Sequence, residues 1–148
     1  FSNTVWKVDK NETLASKVFL LNKMLNGIDA FYGIDLPEVF LFIHPVGTVL
    51  GRAKYSNYFA VYQNCSIGAD ENLIYPIFNG ETIMYSRSSV IGNCNIGSNT
   101  IFGANSFIIN NNVENNKVIL GSFPNNNIIQ NNKNVDETII SSYTLLYF

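Results

Sequence analysis

From residue 78 to residue 112 the chain repeats a pattern every six residues. Large apolar side chains occupy one position, and small or polar residues stand four places later. The large residues are Phe78, Met84, Val90, Ile96, Phe102 and Ile108, and the others are Thr82, Ser88, Cys94, Thr100, Ser106 and Asn112. This period is typical of a parallel β-helix, in which three repeats make one coil of about eighteen residues and each short strand turns one large side chain inward. The pattern therefore predicts that Phe78 stacks on Ile96, Met84 on Phe102 and Val90 on Ile108.

An earlier block has the same period in another register. Its large residues are Ile43, Val49, Tyr55, Val61 and Ile67, which are also predicted to point inward. The interval from Ile67 to Phe78 is longer than one repeat, so residues 68–77 are predicted to contain a loop that leaves the coil. Loops that project from a rigid scaffold often carry function.

The first part of the chain predicts a helix instead. Asn11 can cap a helix that starts at about Glu12, and Gly27 can end it. Apolar residues recur at helical spacing within it, namely Leu14, Val18, Leu21, Met24 and Leu25. This stripe either packs on its own domain or serves oligomerisation. We divide the chain into an N-terminal helical segment and connector (1–36), which we expect to be incomplete, a β-helix (37–124) and an Asn-rich tail without the period (125–148).

Composition limits the functions to consider. The 148 residues include 9 Lys or Arg and 11 Asp or Glu, giving a net charge of −2, and 47% are hydrophobic. No basic stripe favours nucleic acid, and no apolar run is long enough to span a membrane. Cys65 and Cys94 fall on small inward positions, so we expect buried, reduced thiols and a cytoplasmic protein. One histidine and two scattered cysteines also argue against a metal site.

The one histidine, His44, is the sharpest candidate for chemistry. If side chains alternate along residues 39–44, His44 shares a face with Phe40 and Phe42 and points out of the coil. It is then either a surface residue at a subunit contact or a general base, because an unperturbed imidazole titrates near neutral pH.

Several segments resemble one known family. Residues 44–51 (HPVGTVLG) resemble the His-x-x-Gly-x-x-x-Gly signature of the serine acetyltransferases, within the hexapeptide-repeat acyltransferase superfamily. Residues 62–68 (YQNCSIG) are similar to a coil of that family, and residues 121–124 (GSFP) to the end of its last coil. The resemblance covers about eighty residues, from His44 to Pro124.

This resemblance implies a fold and a reaction. It implies a mainly β protein, a left-handed parallel β-helix with a short N-terminal helical segment, that forms a homotrimer or a dimer of trimers. Acetyl-CoA would lie in the groove between subunits, and His44 would deprotonate the hydroxyl of a small-molecule acceptor. The backbone amide of Gly68 would stabilise the oxyanion, and Ser86 and Ala104 would let the pantetheine arm approach. Four basic residues near the coil are candidates to meet the CoA phosphates, with Lys117 as our first choice; the others are Arg52, Lys54 and Arg87.

The resemblance also implies an acid that orients the base. Asp35 is our first choice, and Asp29 is the alternative because it has the family's spacing from His44. Two departures concern the acceptor. The family has Arg and a second His in the projecting loop, where this chain has Ile74 and Tyr75, and it has an acid where this chain has Ile43.

These departures leave the acceptor open. Arg and an acid would pair with the carboxylate and ammonium of an amino acid, and Tyr75 would contact the acceptor here instead. The sequence thus predicts a CoA-dependent O-acetyltransferase, first of all a serine O-acetyltransferase of cysteine biosynthesis. The alternatives are a sugar or polysaccharide O-acetyltransferase and a non-catalytic trimeric scaffold.

Overall fold

The computed structural model of the chain describes residues 2–146, with side chains as far as residue 142. Residue 1 of the predicted N-terminal segment and residues 147–148 of the predicted tail lie outside the described residues.

The predicted N-terminal helix is confirmed. A short α1 (Ser2–Thr4) and a π-helical turn (Val5–Asp9) precede α2 (Glu12–Asn26). The side-chain oxygen of Asn11 accepts a hydrogen bond from the N–H of Leu14 at the start of α2. At its end Gly27 takes a left-handed conformation (φ 64°) and donates its N–H to the carbonyl of Lys23. Both ends therefore form as the capping residues predict.

The predicted apolar stripe of α2 does not face the body of the molecule. Ala15 is fully buried and packs in a cluster with Val5 and Tyr32. By contrast Leu21, Met24 and Leu25 are 55%, 82% and 72% exposed. The helix therefore packs through the side that carries Ala15 and leaves most of the stripe uncovered.

Within the described residues, thirteen short strands follow. They are β1 (Asp29–Ala30), β2 (Phe40–Phe42), β3 (Val49–Leu50), β4 (Phe59–Val61), β5 (Ser66–Gly68), β6 (Ile77–Phe78), β7 (Thr82–Met84), β8 (Ser89–Ile91), β9 (Asn95–Ile96), β10 (Thr100–Phe102), β11 (Phe107–Ile109), β12 (Lys117–Leu120) and β13 (Asn127–Gln130). The first face of the coil stacks β1-β3-β5-β8-β11, the second β2-β4-β7-β10-β12, and the third β6-β9. All these neighbours pair in parallel, as a parallel β-helix requires, whereas β13 adds antiparallel, to β12.

The inward column from Phe78 onward is confirmed. Phe78 pairs with Ile96, Met84 with Phe102 and Val90 with Ile108, as predicted. All six of these large side chains are fully buried. Of the small or polar positions, Asn112 is the exception: it is exposed, and its side-chain oxygen accepts from the N–H of Asn95 in the preceding coil.

The register of the earlier block is correct from Tyr55 onward and wrong before it. Ile43 is half-buried on the outside and Val49 is 44% exposed. The inward positions belong to Phe42, which pairs with Val61, and to Leu50, which pairs with Ile67. Eight positions separate Phe42 from Leu50, against six between Val61 and Ile67. This turn is therefore two residues longer than the regular repeat. Counting in sixes places the inward residues at Ile43 and Val49, each one position away from Phe42 and Leu50.

The tail continues as a strand and a helix. After β13, α3 (Val135–Leu146) lies against the outside of the second face. Val135 and Ile139, at 0% and 1% exposure, pack there. They meet the outward side chains Leu41, Ala60, Ile83 and Ile101. The six-residue period stops because this segment leaves the coil and covers one of its faces.

Both cysteines are buried and free, as predicted for core thiols. The Sγ atom of Cys65 lies 3.2 Å from the carbonyl oxygen of Tyr85, and that of Cys94 lies 3.2 Å from the carbonyl oxygen of Ile91. Burial raises the pKa of the Cys94 thiol. Such a thiol stays protonated and is a poor nucleophile.

Candidate functional site

His44 lies at the corner where the second face turns into the first, between β2 and β3. Its side chain is exposed, as predicted. The alternation argument for that exposure is wrong, however. Strand β2 ends at Phe42, and both Phe40 and Phe42 pack against the inward core. His44 itself has a left-handed backbone (φ 49°), and this turn carries its imidazole away from the core.

Each later coil makes the same turn. We call the stacked turns at residues 43–48, 62–65, 85–88 and 103–106 the His44 corner. Left-handed residues recur in it at Asn64, Arg87 and Asn105 (φ 56°, 61° and 60°). Since a non-glycine residue adopts this conformation at a cost, the turns are held by the stack of coils around them.

The His44 corner brings together two of the predicted cofactor-binding residues. The carbonyl of Ser86 accepts a hydrogen bond from the N–H of Asn105, the neighbour of Ala104 in the next coil (3.0 Å). Ser86 is half-buried and Ala104 is exposed. Small side chains thus leave the surface of the corner open in the two coils farthest from His44.

Two features of this corner were missed by sequence reasoning. Within it the ring centroids of Tyr62 and Tyr85 lie 4.9 Å apart. The pKa of Tyr62 is raised, mainly by burial and also by the neighbouring Tyr85. The side-chain oxygen of Gln63, in the coil next to His44, is buried and has no hydrogen-bond partner among the residues that the structure describes. A signal for the tyrosines exists in the sequence, because they occupy the same position in successive coils.

The two candidate acids lie in different places. Asp29 pairs with Val49 and donates its N–H to the carbonyl of Thr48, at the end of the turn that carries His44. Its carboxylate binds the Nζ of Lys23 at 2.6 Å.

Asp35 is 78% exposed and forms an ion pair with Lys7. It also lines a cavity of about 300 Å³ with Arg52 and Lys54, on the stretch that leads to the third face. Within residues 2–146, the imidazole of His44 forms no hydrogen bond or ion pair with either acid. Asp29 is therefore the acid whose backbone lies beside the His44 turn.

Two further predicted residues lie away from the His44 corner. Gly68 is the last residue of β5, at the end of the first face that is opposite the His44 corner. Its carbonyl accepts a hydrogen bond from the N–H of Gly92. Lys117 begins β12, at the end of the second face that is opposite the corner. Its Nζ lies 3.6 Å from Glu114 and 3.5 Å from Gln130. Lys117 is therefore not in the turn that holds Ser86 and Ala104.

Tyr75 belongs to the projecting loop. The carboxylate of Asp70 accepts from the N–H groups of Asn72 and Ile74, which gives the loop a defined shape. The ring of Tyr75 packs so tightly on Gly51 that a Cβ there would lie 2.8 Å from the ring and 2.6 Å from the carbonyl oxygen of Ile67. Gly51 is thus the residue that lets the loop close on the coil.

A groove of about 670 Å³ adjoins the His44 turn, and we call it the α2 groove. One wall is the end of α2, formed by Asn22 and residues 24–28. The other wall is Phe42 with Pro45 and Val46, the two residues that follow His44. Gly47 holds the walls together, because its N–H donates to the carbonyl of Gly27 at 2.7 Å.

The described part of the chain holds neither a metal-binding cluster nor a membrane-spanning helix. Among these residues, no three His, Cys, Asp or Glu side chains come together as a metal site would require. None of the helices within residues 2–146 is both long and apolar enough to cross a lipid bilayer.

The chain matches known proteins by its structure but not by its sequence. Neither the known family models nor the curated protein sequences contain a match to the chain. Solved structures do match. The serine acetyltransferase of Neisseria gonorrhoeae aligns over 88% of this chain and 52% of its own, with 21% identity and a TM-score of 0.77. That of Brucella abortus in complex with coenzyme A aligns over 89% and 53%, with 15% identity and a TM-score of 0.77.

The serine acetyltransferase of Vibrio cholerae aligns over 93% of this chain and 54% of its own, with 14% identity and a TM-score of 0.76. The chain has the fold of the serine acetyltransferases. It is mainly β, a left-handed parallel β-helix with a short N-terminal helical segment, as the sequence predicts. It spans about half the length of the solved structures that it matches.

Proposed function

We propose that this chain carries the catalytic β-helix of a CoA-dependent O-acetyltransferase in which His44 is the general base. The observation that carries the proposal is the position of the one histidine. It is exposed at a corner whose later coils offer the small side chains of Ser86 and Ala104. The shared fold with serine acetyltransferases, one of them in complex with coenzyme A, supports the same reaction.

The reaction needs a base because an alcohol is a weak nucleophile near neutral pH. In the proposed mechanism the imidazole of His44 takes the proton of the acceptor hydroxyl as its oxygen attacks the thioester carbonyl of acetyl-CoA. The tetrahedral intermediate then collapses, the carbon–sulfur bond breaks, and the thiolate of CoA takes the proton back from the imidazolium. The products are the acetyl ester and free CoA.

Asp29 is the proposed positioning residue for His44. Its backbone is hydrogen-bonded to Thr48, in the turn that carries the base. Both acids pair with a lysine, Asp29 with Lys23 and Asp35 with Lys7. Asp35, the first choice from the sequence, lines a different cavity with Arg52 and Lys54. The backbone N–H of Gly68 is the proposed donor to the oxyanion, and Tyr75 is the proposed acceptor contact from the projecting loop. Because both lie away from the His44 corner of their own chain, a neighbouring subunit of the proposed trimer would supply them.

The proposed path of CoA follows the His44 corner. Ser86 and Ala104 would lie against the pantetheine arm. For the CoA phosphates, Arg87 is the better placed cation, since it directly follows Ser86 and its side chain is exposed. Lys117, the sequence-based candidate, is held by Glu114 and Gln130 at the far end of its strand.

The proposed assembly is a homotrimer or a dimer of trimers, with acetyl-CoA in the groove between two subunits. The proposed setting is the cytoplasm. Serine is the first acceptor to consider, which would place the reaction in cysteine biosynthesis, because the solved structures of this fold are serine acetyltransferases. A sugar hydroxyl is the second candidate, and it is favoured by the uncharged lining of the α2 groove.

The test is the release of free CoA from acetyl-CoA by the purified chain, measured with serine, homoserine and a set of sugars. A reaction without acceptor corrects for hydrolysis of the thioester. The proposal expects acceptor-dependent release with at least one hydroxyl compound. No acceptor-dependent release from a folded chain that binds CoA would favour the non-catalytic scaffold.

A further inference from the structure

The lining of the α2 groove is uncharged. Among the described residues that form it, the side chains are apolar, aromatic or amide, and none is ionisable. Met24, Leu25 and Val46 supply exposed apolar surface, at 82%, 72% and 62% exposure. Phe42 also lines the groove, although it is half-buried and packs on the inward core, and Asn22 and Asn26 add amides.

The charges of α2 that lie nearest to the groove are already paired. Lys23 lies in the same helical turn as Asn22, and its Nζ binds the carboxylate of Asp29 at 2.6 Å. The positive charge of Lys23 is therefore matched within the structure. The Nδ2 of Asn26 donates to the Oδ1 of Asn22 at 2.8 Å, which leaves the Oδ1 of Asn26 and the Nδ2 of Asn22 as polar groups for a ligand.

Such a lining suits some acceptors and disfavours others. A free amino acid at neutral pH carries a carboxylate and an ammonium, and placing either against apolar walls without a partner is unfavourable. Sites that recognise a carboxylate use Arg or other charged donors for this reason. A sugar is neutral, exposes an apolar face of C–H groups that packs on an aromatic ring, and offers hydroxyls to amide groups.

We propose that the α2 groove binds the acceptor and that this acceptor is a neutral, polyhydroxylated molecule such as a sugar rather than a free amino acid. The inference rests on the proposed function, since it names the substrate class of the same site, and it places the sugar before serine, the acceptor that the shared fold alone puts first. The groove begins at Pro45 and Val46, directly after the base, so a hydroxyl of a ligand bound there can reach the His44 turn.

The first test compares acceptors. We expect kcat/KM for the best neutral sugar to exceed that for serine and homoserine by about tenfold or more, because removing water from a carboxylate and an ammonium without a partner is unfavourable. Equal or better turnover of serine would overturn the inference while leaving the O-acetyltransferase activity in place. Absence of turnover with every acceptor would overturn both.

The second test places a charge in the groove. Met24→Arg adds a cation to the wall, and we expect it to raise the ratio of kcat/KM for serine to that for the sugar. Leu21→Arg is the matched control, because it adds the same charge to an exposed position of the same helix outside the groove. An unchanged ratio in Met24→Arg, or the same change in both variants, would overturn the inference. Circular dichroism of both variants establishes that α2 still forms.

Discussion

The packing of α3 on the second face can be tested with two neighbouring isoleucines. Ile139 is 1% exposed and packs on the outward side chains of the coil, whereas Ile140 is 50% exposed. Ile139→Ala removes buried methyl groups from this contact. Ile140→Ala removes the same atoms from a position that is half in water.

The expected magnitudes differ because only one of the two side chains is buried. Truncation of a buried isoleucine to alanine costs about 2–5 kcal/mol, and an exposed substitution usually changes stability by about 0.5 kcal/mol or less. Both variants gain a few tenths of a kcal/mol in helix propensity, since alanine is the better helix former. Their difference therefore isolates burial, and we expect about 2 kcal/mol or more.

The assay is urea unfolding followed by circular dichroism, with hydrogen exchange of the amides of α3 as the local readout. We expect a lower unfolding midpoint for Ile139→Ala and faster exchange in α3, with Ile140→Ala close to the unmodified chain. If both variants lose the same amount of stability, α3 does not pack on the second face in the way described.

Three further predictions concern the core and the His44 corner. Cys65 and Cys94 should not react with a thiol reagent in the native chain and should both react in denaturant, because they are buried and burial raises the pKa of Cys94; fast labelling of the native chain would contradict this. Gly97→Ala should lower the free energy of unfolding by about 1–3 kcal/mol, measured in urea, because the new Cβ would lie 2.5 Å from the backbone nitrogen of Asn115. Ala104→Trp should raise the KM for acetyl-CoA more than it lowers kcat, with an unchanged melting temperature because Ala104 is exposed; an unchanged KM would place the cofactor elsewhere.

The regular part of the fold could be predicted from the sequence because its period is local. Each six-residue step repeats the same inward and corner positions, so Phe78 and Ile96 could be paired by counting alone. The count failed at Ile43 and Val49, where two extra residues lengthen the turn between Phe42 and Leu50. An insertion in a turn has no periodic signature, and a shift by one position turns an inward residue outward.

The position of α3 could not be predicted for a different reason. Val135 and Ile139 stand four residues apart, as on one face of a helix, but the surface that they cover is made of outward residues from four separate coils. Nothing in the local sequence shows which face of a solenoid a following helix will meet. The exposed stripe of α2 shows the same limit, since apolar spacing indicated a helix face but not what lies against it.

The sequence indicated individual residues of the candidate site but not how they lie relative to one another. The neighbourhood of Ser86 and Ala104 follows from their positions in the repeat. The exposure of His44 does not, because it depends on a left-handed turn in the stretch where the six-residue count fails. The choice between Asp29 and Asp35 depends on how the connector after α2 returns to the coil, and the structure places Asp29 beside Thr48. The α2 groove depends on the angle between a helix and a turn, which the sequence does not encode locally.

The most direct measurement of the central claim is the turnover of acetyl-CoA by His44→Asn. Asparagine tolerates the left-handed backbone that His44 adopts (φ 49°), so this variant removes the base and keeps the turn. We expect kcat to fall by about 10²–10⁴-fold, the range that a general base contributes, while the melting temperature and the affinity for CoA stay unchanged. A folded variant that binds CoA and retains kcat within about threefold of the unmodified chain would contradict the role of His44, since that is far less than a general base contributes.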